Sequence, residues 1–136
     1  MSEPHVFARD FVAEPQHIDE LGHVNNSVWV QWIQDLATAH WEAAARPEHL
    51  AAFFWVVIRH EIDYRGNIAA GEVAHGETWI DGAPQGAKSV RRVEFTDDAG
   101  KRLVSAATTW AMLDRETRRL ARVRPEVIAP FRAPAD

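Results

Sequence analysis

Apolar residues recur every three or four positions in one segment of the chain, between residues 26 and 46. Asn25, Asn26 and Ser27 can cap the start of a helix there, and Pro47 follows its end. The spacing therefore predicts one long helix over about residues 26–46, with its apolar stripe buried under other elements. The members of the stripe are Val28, Trp29, Trp32, Ile33, Leu36, Ala37, His40, Trp41 and Ala44.

Runs of alternating apolar and polar residues follow the helix, and turn signals separate them. Asp81-Gly82-Ala83-Pro84 and Asp97-Asp98-Ala99-Gly100 are typical of turns between strands. A weaker run precedes the helix, and a short helix or arm is expected near the C-terminus. The predicted strands are 5–13, 53–64, 72–81, 88–96 and 102–113, and the terminal element 125–131 precedes a loose tail over 132–136.

A strand, a helix and a meander of four strands indicate an α+β fold. The apolar face of an antiparallel sheet needs a covering layer, and a helix that carries tryptophans along its apolar stripe must itself be covered. A curved sheet of about five strands around one central helix satisfies both requirements. At 136 residues the chain has room for one such domain, which we place over residues 1–136.

Composition and charge exclude several classes of function. The 20 acidic residues outnumber the 15 Lys and Arg residues, so we expect no nucleic-acid partner. The chain has no cysteine, which excludes thiol nucleophiles, disulfides and thiolate metal sites. Its longest apolar run, 51–58, is far shorter than the roughly 20 residues of a membrane span. Since no signal-peptide pattern is present either, we expect a cytoplasmic protein without a membrane partner.

Candidate chemistry is concentrated between the first strand and the helix, in Asp19-Glu20-Leu21-Gly22-His23-Val24-Asn25-Asn26. The helix start offers unsatisfied N–H groups at the positive end of the macrodipole, and Asp19 can act as a base or a nucleophile. From the residues alone, three interpretations stay open. They are caps and turns only, a metal site formed by His17, Asp19 and His23, and acyl chemistry with an oxyanion at the helix start.

The Asp-x-x-Gly-His-Val-Asn-Asn string before an aromatic helix resembles the 4-hydroxybenzoyl-CoA thioesterase-like branch of the hot-dog fold. The segments 60–64 and 108–114 extend the resemblance over nearly the whole chain. It implies hydrolysis of an acyl-CoA or acyl-carrier-protein thioester, with no metal and no organic cofactor, since coenzyme A is part of the substrate. It also implies a homodimer or homotetramer.

The resemblance implies roles for single residues. Asp19 would be the nucleophile or general base, the backbone N–H near Asn26 the oxyanion donor, and His23 the group that orients the acid or water. Arg59 and His60 would approach the Asp19 loop of a second subunit, although an ion pair with Glu61 or Asp63 is the alternative. The expected substrate-binding residues are Gly22, Val24, Asn25, Trp29, Arg59 and His60.

The chain also departs from its relatives, and other functions stay open. Leu21 stands where plant-type acyl-carrier thioesterases have asparagine, and Trp29 where tyrosine is common. Lys88, Arg91 and Arg92 are candidates for contacts with coenzyme A phosphates or for an exposed charged strand face. The other functions are a hydroxyacyl-thioester dehydratase that uses His23, a non-catalytic acyl-CoA-binding module, and a structural subunit.

Overall fold

One antiparallel sheet and one long helix make up most of the fold in the computed structural model, which describes residues 3–133. The predicted α+β class is confirmed. The strands are β1 (Phe7–Val12), β2 (Phe53–Tyr64), β3 (Val73–Gln85), β4 (Lys88–Thr96) and β5 (Arg102–Asp114). The helices are α1 (Asn26–Ala44), α2 (Pro47–Ala52) and α3 (Pro125–Ile128), with 3-10 turns at Pro15–His17 and Ala129–Phe131.

The strands lie in the order β1-β3-β4-β5-β2, and every neighbouring pair is antiparallel. β3, β4 and β5 form the predicted meander, but the prediction that β2 belongs to it is wrong. The eight residues 65–72 connect β2 to β3 across the sheet, and this is longer than a hairpin turn. β2 is therefore an edge strand, and within residues 3–133 no strand pairs with its outer side.

α1 begins where the pattern predicts and ends at Ala44, two residues before the predicted end. The Asn25 side chain caps it by accepting a hydrogen bond from the Ser27 N–H at 2.9 Å. Pro47 is in the first turn of α2. The N–H group that proline lacks would have no partner within the helix at this position, so proline is well tolerated there. The buried face of α1 is the predicted stripe, with Trp29, Ile33, Leu36 and His40 almost completely enclosed.

Gly76 lies where α1 crosses β3. A Cβ atom at this position would lie 2.9 Å from both Leu36 Cδ2 and Phe95 Cε1. Only glycine therefore allows the helix to approach the sheet so closely. One half of the core forms around this crossing, and the other half lies around Phe131 and the C-terminal segment.

The turn predicted at Asp81-Gly82-Ala83-Pro84 is wrong. β3 continues through this segment to Gln85, and the chain reverses at Gly86 and Ala87 instead. The pairing register with β4 shifts between Asp81 and Gln85, so the segment is a bulge. Gly82 has φ +72°, which suits both a turn and a bulge, so the sequence signal could not separate them.

Arg132 and Ala133, the first residues of the predicted loose tail, are held by hydrogen bonds. Arg132 pairs with Pro4 in a β-bridge, and its Nη2 donates to the Gly82 carbonyl at 2.6 Å. The Ala133 N–H donates to the Glu3 carbonyl at 2.6 Å. The rest of that tail, 134–136, lies outside the described residues.

None of the helices within residues 3–133 is both long and apolar enough to cross a membrane.

Candidate active site

The segment between β1 and α1 folds into a short hairpin that carries Asp19. Ile18 and Val24 form an antiparallel bridge, and the Asp19 N–H donates to the His23 carbonyl at 2.8 Å. The reversal depends on Gly22, which has φ +79° and whose N–H donates to the Asp19 carbonyl at 3.1 Å. The predicted glycine turn is thus present, and residues 18–24 are called the Asp19 loop below.

Only one of the two Asp19 carboxylate oxygens accepts hydrogen bonds from the described residues. Oδ1 accepts hydrogen bonds from the N–H groups of Leu21 at 2.9 Å and His23 at 3.3 Å. Oδ2 accepts none from the residues that the structure describes. One oxygen therefore fixes the orientation of the carboxylate, and the other can act on water or on a carbonyl carbon.

The first turn of α1 leaves one backbone donor free. The Ser27 N–H donates to Asn25 Oδ1, and the N–H groups of Val28 and Trp29 donate to the Asn25 carbonyl. The Asn26 N–H donates to no acceptor in the described part of the chain. It lies at the positive end of the helix macrodipole, where an oxyanion is stabilised. The loop thus brings Asp19 and the candidate oxyanion donor onto one short segment.

Asn67 holds this loop against the sheet, and sequence reasoning missed it. Its Oδ1 accepts the N–H groups of Val24 at 3.0 Å and Ile68 at 2.8 Å. Its Nδ2 donates to the Val24 carbonyl at 3.1 Å. Val24 itself is 1% exposed and belongs to the core, so within one chain its side chain does not contact substrate as predicted.

We expect Asn67→Ala to lower the free energy of unfolding by about 1–3 kcal/mol, because it leaves the Val24 N–H and carbonyl without partners in a half-buried position. Urea unfolding measures the effect. Gln31→Ala, which removes an exposed amide from the outer face of α1, should not reproduce it. Native stability in Asn67→Ala would show that the hydrogen bonds of Asn67 to Val24 do not stabilise the fold.

The two histidines of the segment differ in their surroundings. The His17 Nδ1 accepts a hydrogen bond from the Glu14 N–H at 3.0 Å, and the ring packs edge-on against Trp32. The His23 ring is exposed, and only its backbone is fixed by Asp19. Across residues 3–133, no three His, Cys, Asp or Glu side chains lie together as metal ligands. His17 therefore has a structural role in the loop.

Trp29 does not contact a substrate within the chain, contrary to the prediction. It is fully buried, with its ring centroid 5.1 Å from that of Trp32 and 5.3 Å from that of Phe95. Helical spacing identifies the buried stripe but does not tell which of its members reaches a cavity. Trp29 lies over the sheet at the crossing of α1 and β3, where no space remains.

Arg59 and His60 lie on β2 and do not meet the Asp19 loop of their own chain. Arg59 forms an exposed ion pair with Glu61 at 3.2 Å, as the alternative interpretation stated. His60 is held between Thr108 Oγ1 at 2.8 Å and Gln34 Nε2 at 3.4 Å, and partial burial lowers its pKa. Gln34 lies eight residues along α1 from Asn26, roughly 12 Å along the helix axis.

A second polar cluster lies inside the fold, and of its members the sequence indicated only Arg91 as a candidate binding residue. Arg91 Nη1 donates to His40 Nδ1 at 2.8 Å and to Thr78 Oγ1 at 3.2 Å. His40 Nε2 therefore carries the proton and donates to His5 Nδ1 at 3.1 Å. Burial lowers the pKa of His40 most, and together with the charge of Arg91 and the His5 ring it brings that pKa to about 3. His40 is thus a neutral acceptor for Arg91 at physiological pH.

This burial predicts loss of stability in acid. An unfolded histidine takes up a proton near pH 6.5, whereas folded His40 does so only near pH 3. The unfolded state therefore binds more protons as the pH falls below 6.5, and stability is lost through that range. Between pH 6.5 and 4.5 the native protein should lose about 2 kcal/mol more than His40→Gln.

Urea unfolding at a series of pH values measures this difference. His23→Gln is the matched control, because it removes an exposed ring, and its profile should follow that of the native protein. Coincident pH profiles for the native protein and His40→Gln would contradict the argument.

Lys88, Arg91 and Arg92 were the candidates for coenzyme A contacts or for an exposed charged strand face, and Arg91 does not lie on the exposed face. Arg91 is 7% exposed and points into the fold, whereas Lys88 and Arg92 are exposed. Arg92 points outward and pairs with Asp81 at 3.0 Å. Neighbouring residues of a strand face opposite sides of the sheet, so the two arginines cannot act on one ligand together.

A cavity of about 430 Å³ lies between the second half of α1, the sheet and the C-terminal segment. Aromatic side chains form much of its wall, and Arg91 lies among them. On α1 the cavity reaches residues 37–42, which are at least eleven positions from Asn26, or roughly 16 Å along the axis. Within one chain, the Asp19 loop and this cavity are therefore separate. The aromatic lining residues are Trp41, Phe54, Trp55, Trp110 and Phe131.

Comparison with known proteins identifies the fold. Residues 4–131 match the profile of the acyl-ACP thioesterase N-terminal domain. The structure is similar to that of a putative oleoyl thioesterase from Lactobacillus plantarum, with 19% identity and a TM-score of 0.81 over 94% of this chain and 51% of that one. It is also similar to that of an acyl-ACP thioesterase from Bacteroides thetaiotaomicron, with 22% identity and a TM-score of 0.80 over 96% of this chain and 54% of that one. A third similar structure is that of a hypothetical protein from Staphylococcus aureus in complex with CoA. Its identity is 13% and its TM-score 0.81, over 96% of this chain and 84% of that one.

The chain spans about half the length of the first two of these structures. Likeness at such identities shows the fold, and it confirms the predicted hot-dog architecture. No curated protein sequence matches the chain significantly.

Proposed function

We propose that this chain, which belongs to the acyl-ACP thioesterase N-terminal domain family, hydrolyses an acyl thioester of coenzyme A or of an acyl carrier protein to a free acid and a thiol. The observation that carries the proposal is the Asp19 loop. It carries a carboxylate oxygen without a described partner and leads directly into a helix N-terminus with a free N–H. That combination suits attack on a carbonyl whose oxygen becomes negative.

The proposed chemistry divides between these two groups. The Asn26 N–H and the α1 macrodipole stabilise the oxyanion that forms on the thioester carbonyl. Asp19 either removes a proton from water, whose oxygen bonds to the carbonyl carbon as the thiolate leaves, or attacks that carbon itself and displaces the thiolate. In the second case water then hydrolyses the acyl–Asp19 anhydride to the free acid and restores the carboxylate. His23 lies on the same loop, and its ring can orient the acid or the water. The proposal needs neither a metal ion nor an organic cofactor, because coenzyme A enters with the substrate.

The proposal includes a second subunit, in a homodimer or homotetramer. β2 is a 12-residue edge strand with Val56 and Ile58 exposed. Long edge strands with apolar side chains pair readily with another strand. Pairing of two β2 strands would bring Arg59 and His60 toward a neighbouring Asp19 loop, which neither residue reaches in its own chain. The active groove then lies between subunits.

Finer features of the proposal rest on the resemblance in sequence. The Asp19 to Asn26 string favours the 4-hydroxybenzoyl-CoA thioesterase-like branch, and a cytoplasmic location fits the composition. The staphylococcal protein of the same fold holds CoA, which supports a CoA thioester among the substrates. Val24 and Trp29 are no longer part of the proposed substrate site of one chain, whereas Gly22 and Asn25 shape it through the loop and the helix cap.

Turnover of a panel of acyl-CoA and acyl-carrier-protein thioesters tests the proposal. The panel should include aromatic, short and long acyl groups, and a thiol reagent should follow release of the free thiol. Hydrolysis of at least one member with stoichiometric thiol release is the expected result. Reversible hydration of an enoyl thioester without thiol release would instead indicate a dehydratase. Binding without turnover would indicate an acyl-CoA-binding module, and neither would indicate a structural subunit.

A further inference from the structure

The cavity behind α1 contains a buried positive charge without a counterion. Arg91 is 7% exposed, and within residues 3–133 no carboxylate forms an ion pair with it. Its two hydrogen-bond acceptors, His40 and Thr78, are both uncharged at neutral pH. A buried guanidinium without a negative partner is costly, and proteins rarely keep one without a use.

The neighbouring arginine on β4 shows that the arrangement is specific to the inner face. Arg92 is exposed and yet has a carboxylate partner, Asp81, at 3.0 Å. Arg91 is enclosed and has none among the described residues. Burial alone lowers the pKa of Arg91 to about 10, and no neighbouring acid opposes that effect. Arg91 therefore keeps its charge at physiological pH.

Arg91 also retains donors for a ligand. Nη1 makes both of its hydrogen bonds, whereas Nε and Nη2 donate to no acceptor in the described part of the chain. A guanidinium offers a fork of donors that matches the two oxygens of a carboxylate. Ser89 lies two residues before Arg91 on the same strand face and also lines the cavity.

The cavity wall defines the rest of the ligand. Five aromatic side chains line it, so the ligand needs an apolar or aromatic body. The indole N–H of Trp110 is buried and donates to no described acceptor. A donor of a second lining residue is thus also unsatisfied, although the nitrogen itself is enclosed. Glu42 and Arg115, the other charged residues of the lining, are exposed and do not neutralise Arg91.

We propose that the cavity binds an organic anion with an apolar body that ends in a carboxylate, with Arg91 as the group that recognises the carboxylate. This site goes beyond thioester hydrolysis, since it needs no reaction at the Asp19 loop.

Calorimetric titration of the full chain with octanoate and octanamide tests the site directly. The two probes share their length and differ in charge. The native protein should bind octanoate at least about 10-fold more tightly than octanamide, because charge-assisted hydrogen bonds to Arg91 form only with the carboxylate. Equal affinity for the two probes, or no binding of either, would overturn the proposal.

Arg91→Met separates ligand recognition from a structural role. The variant should lose the preference for octanoate, keep binding octanamide and remain folded, since removal of the buried charge offsets the loss of the hydrogen bonds to His40 and Thr78. Arg92→Met is the matched control on the same strand and should keep the native preference. Arg91→Lys retains a charge without the fork and should keep a reduced preference. A preference that persists in Arg91→Met would overturn the role of Arg91.

Discussion

Asp19→Asn should hydrolyse thioesters at least about 100-fold more slowly than the native protein and should fold with nearly native stability. The amide retains an oxygen that can accept the Leu21 and His23 N–H groups, which Asp19 Oδ1 accepts in the structure. The loop is thus preserved, but the amide is neither a base nor a nucleophile. Initial rates on the preferred thioester and urea unfolding measure the two properties.

Asp19→Ala tests the structural role of the carboxylate as well as its chemical role. It removes the acceptor as well as the base, so it should lose activity to the same extent and also lose about 0.5–1.5 kcal/mol of stability. Glu20→Gln is the matched control, because Glu20 is an exposed acid next to Asp19, and it should retain native rates. Native-like rates in both Asp19 variants would show that the carboxylate has no part in the chemistry.

The long-range periodicities of the sequence predicted most of the fold correctly. The stripe on α1 and the alternation on β4 are imposed by burial on one face, and they persist over many residues. The same alternation also indicates that Arg91 faces inward. Arg91 lies two residues before the buried Val93 and four before the buried Phe95, so all three side chains lie on one face of β4. The charge of Arg91 suggested an exposed residue, and the pattern of the strand was the better guide.

Other features could not be predicted from the sequence, for different physical reasons. Asn67 holds Val24 from 43 residues away, and no local pattern indicates such a contact. Asp81 and Gly82 fit a turn and a bulge equally well, and only pairing with β4 decides between them. The Asp19 loop was predicted because its glycine, carboxylate and helix cap are adjacent in sequence, so their geometry is local.

Ile58→Asp should convert an oligomer of this protein into monomers and lower its thioesterase activity at least about 10-fold. Ile58 is 52% exposed on β2, at a bulge where the register with β5 shifts between Val57 and Arg59. An added carboxylate on an edge strand opposes pairing with a second copy of that strand, particularly beside Glu61 and Asp63. The monomer would keep an intact Asp19 loop but lack the strand that completes the groove.

Val12→Asp is the matched control, since Val12 is 53% exposed on β1, at the opposite edge of the sheet. Both substitutions change an apolar residue that is exposed in the single chain, so each should alter the free energy of unfolding of the monomer by less than about 0.5 kcal/mol. Light scattering coupled to size-exclusion chromatography gives the mass of each variant at the concentration used for the rates. Only Ile58→Asp should show both a lower molar mass in solution and a lower activity than the native protein. A native protein that is monomeric and fully active would mean that one chain contains the complete site, and β2 would then have no part in catalysis.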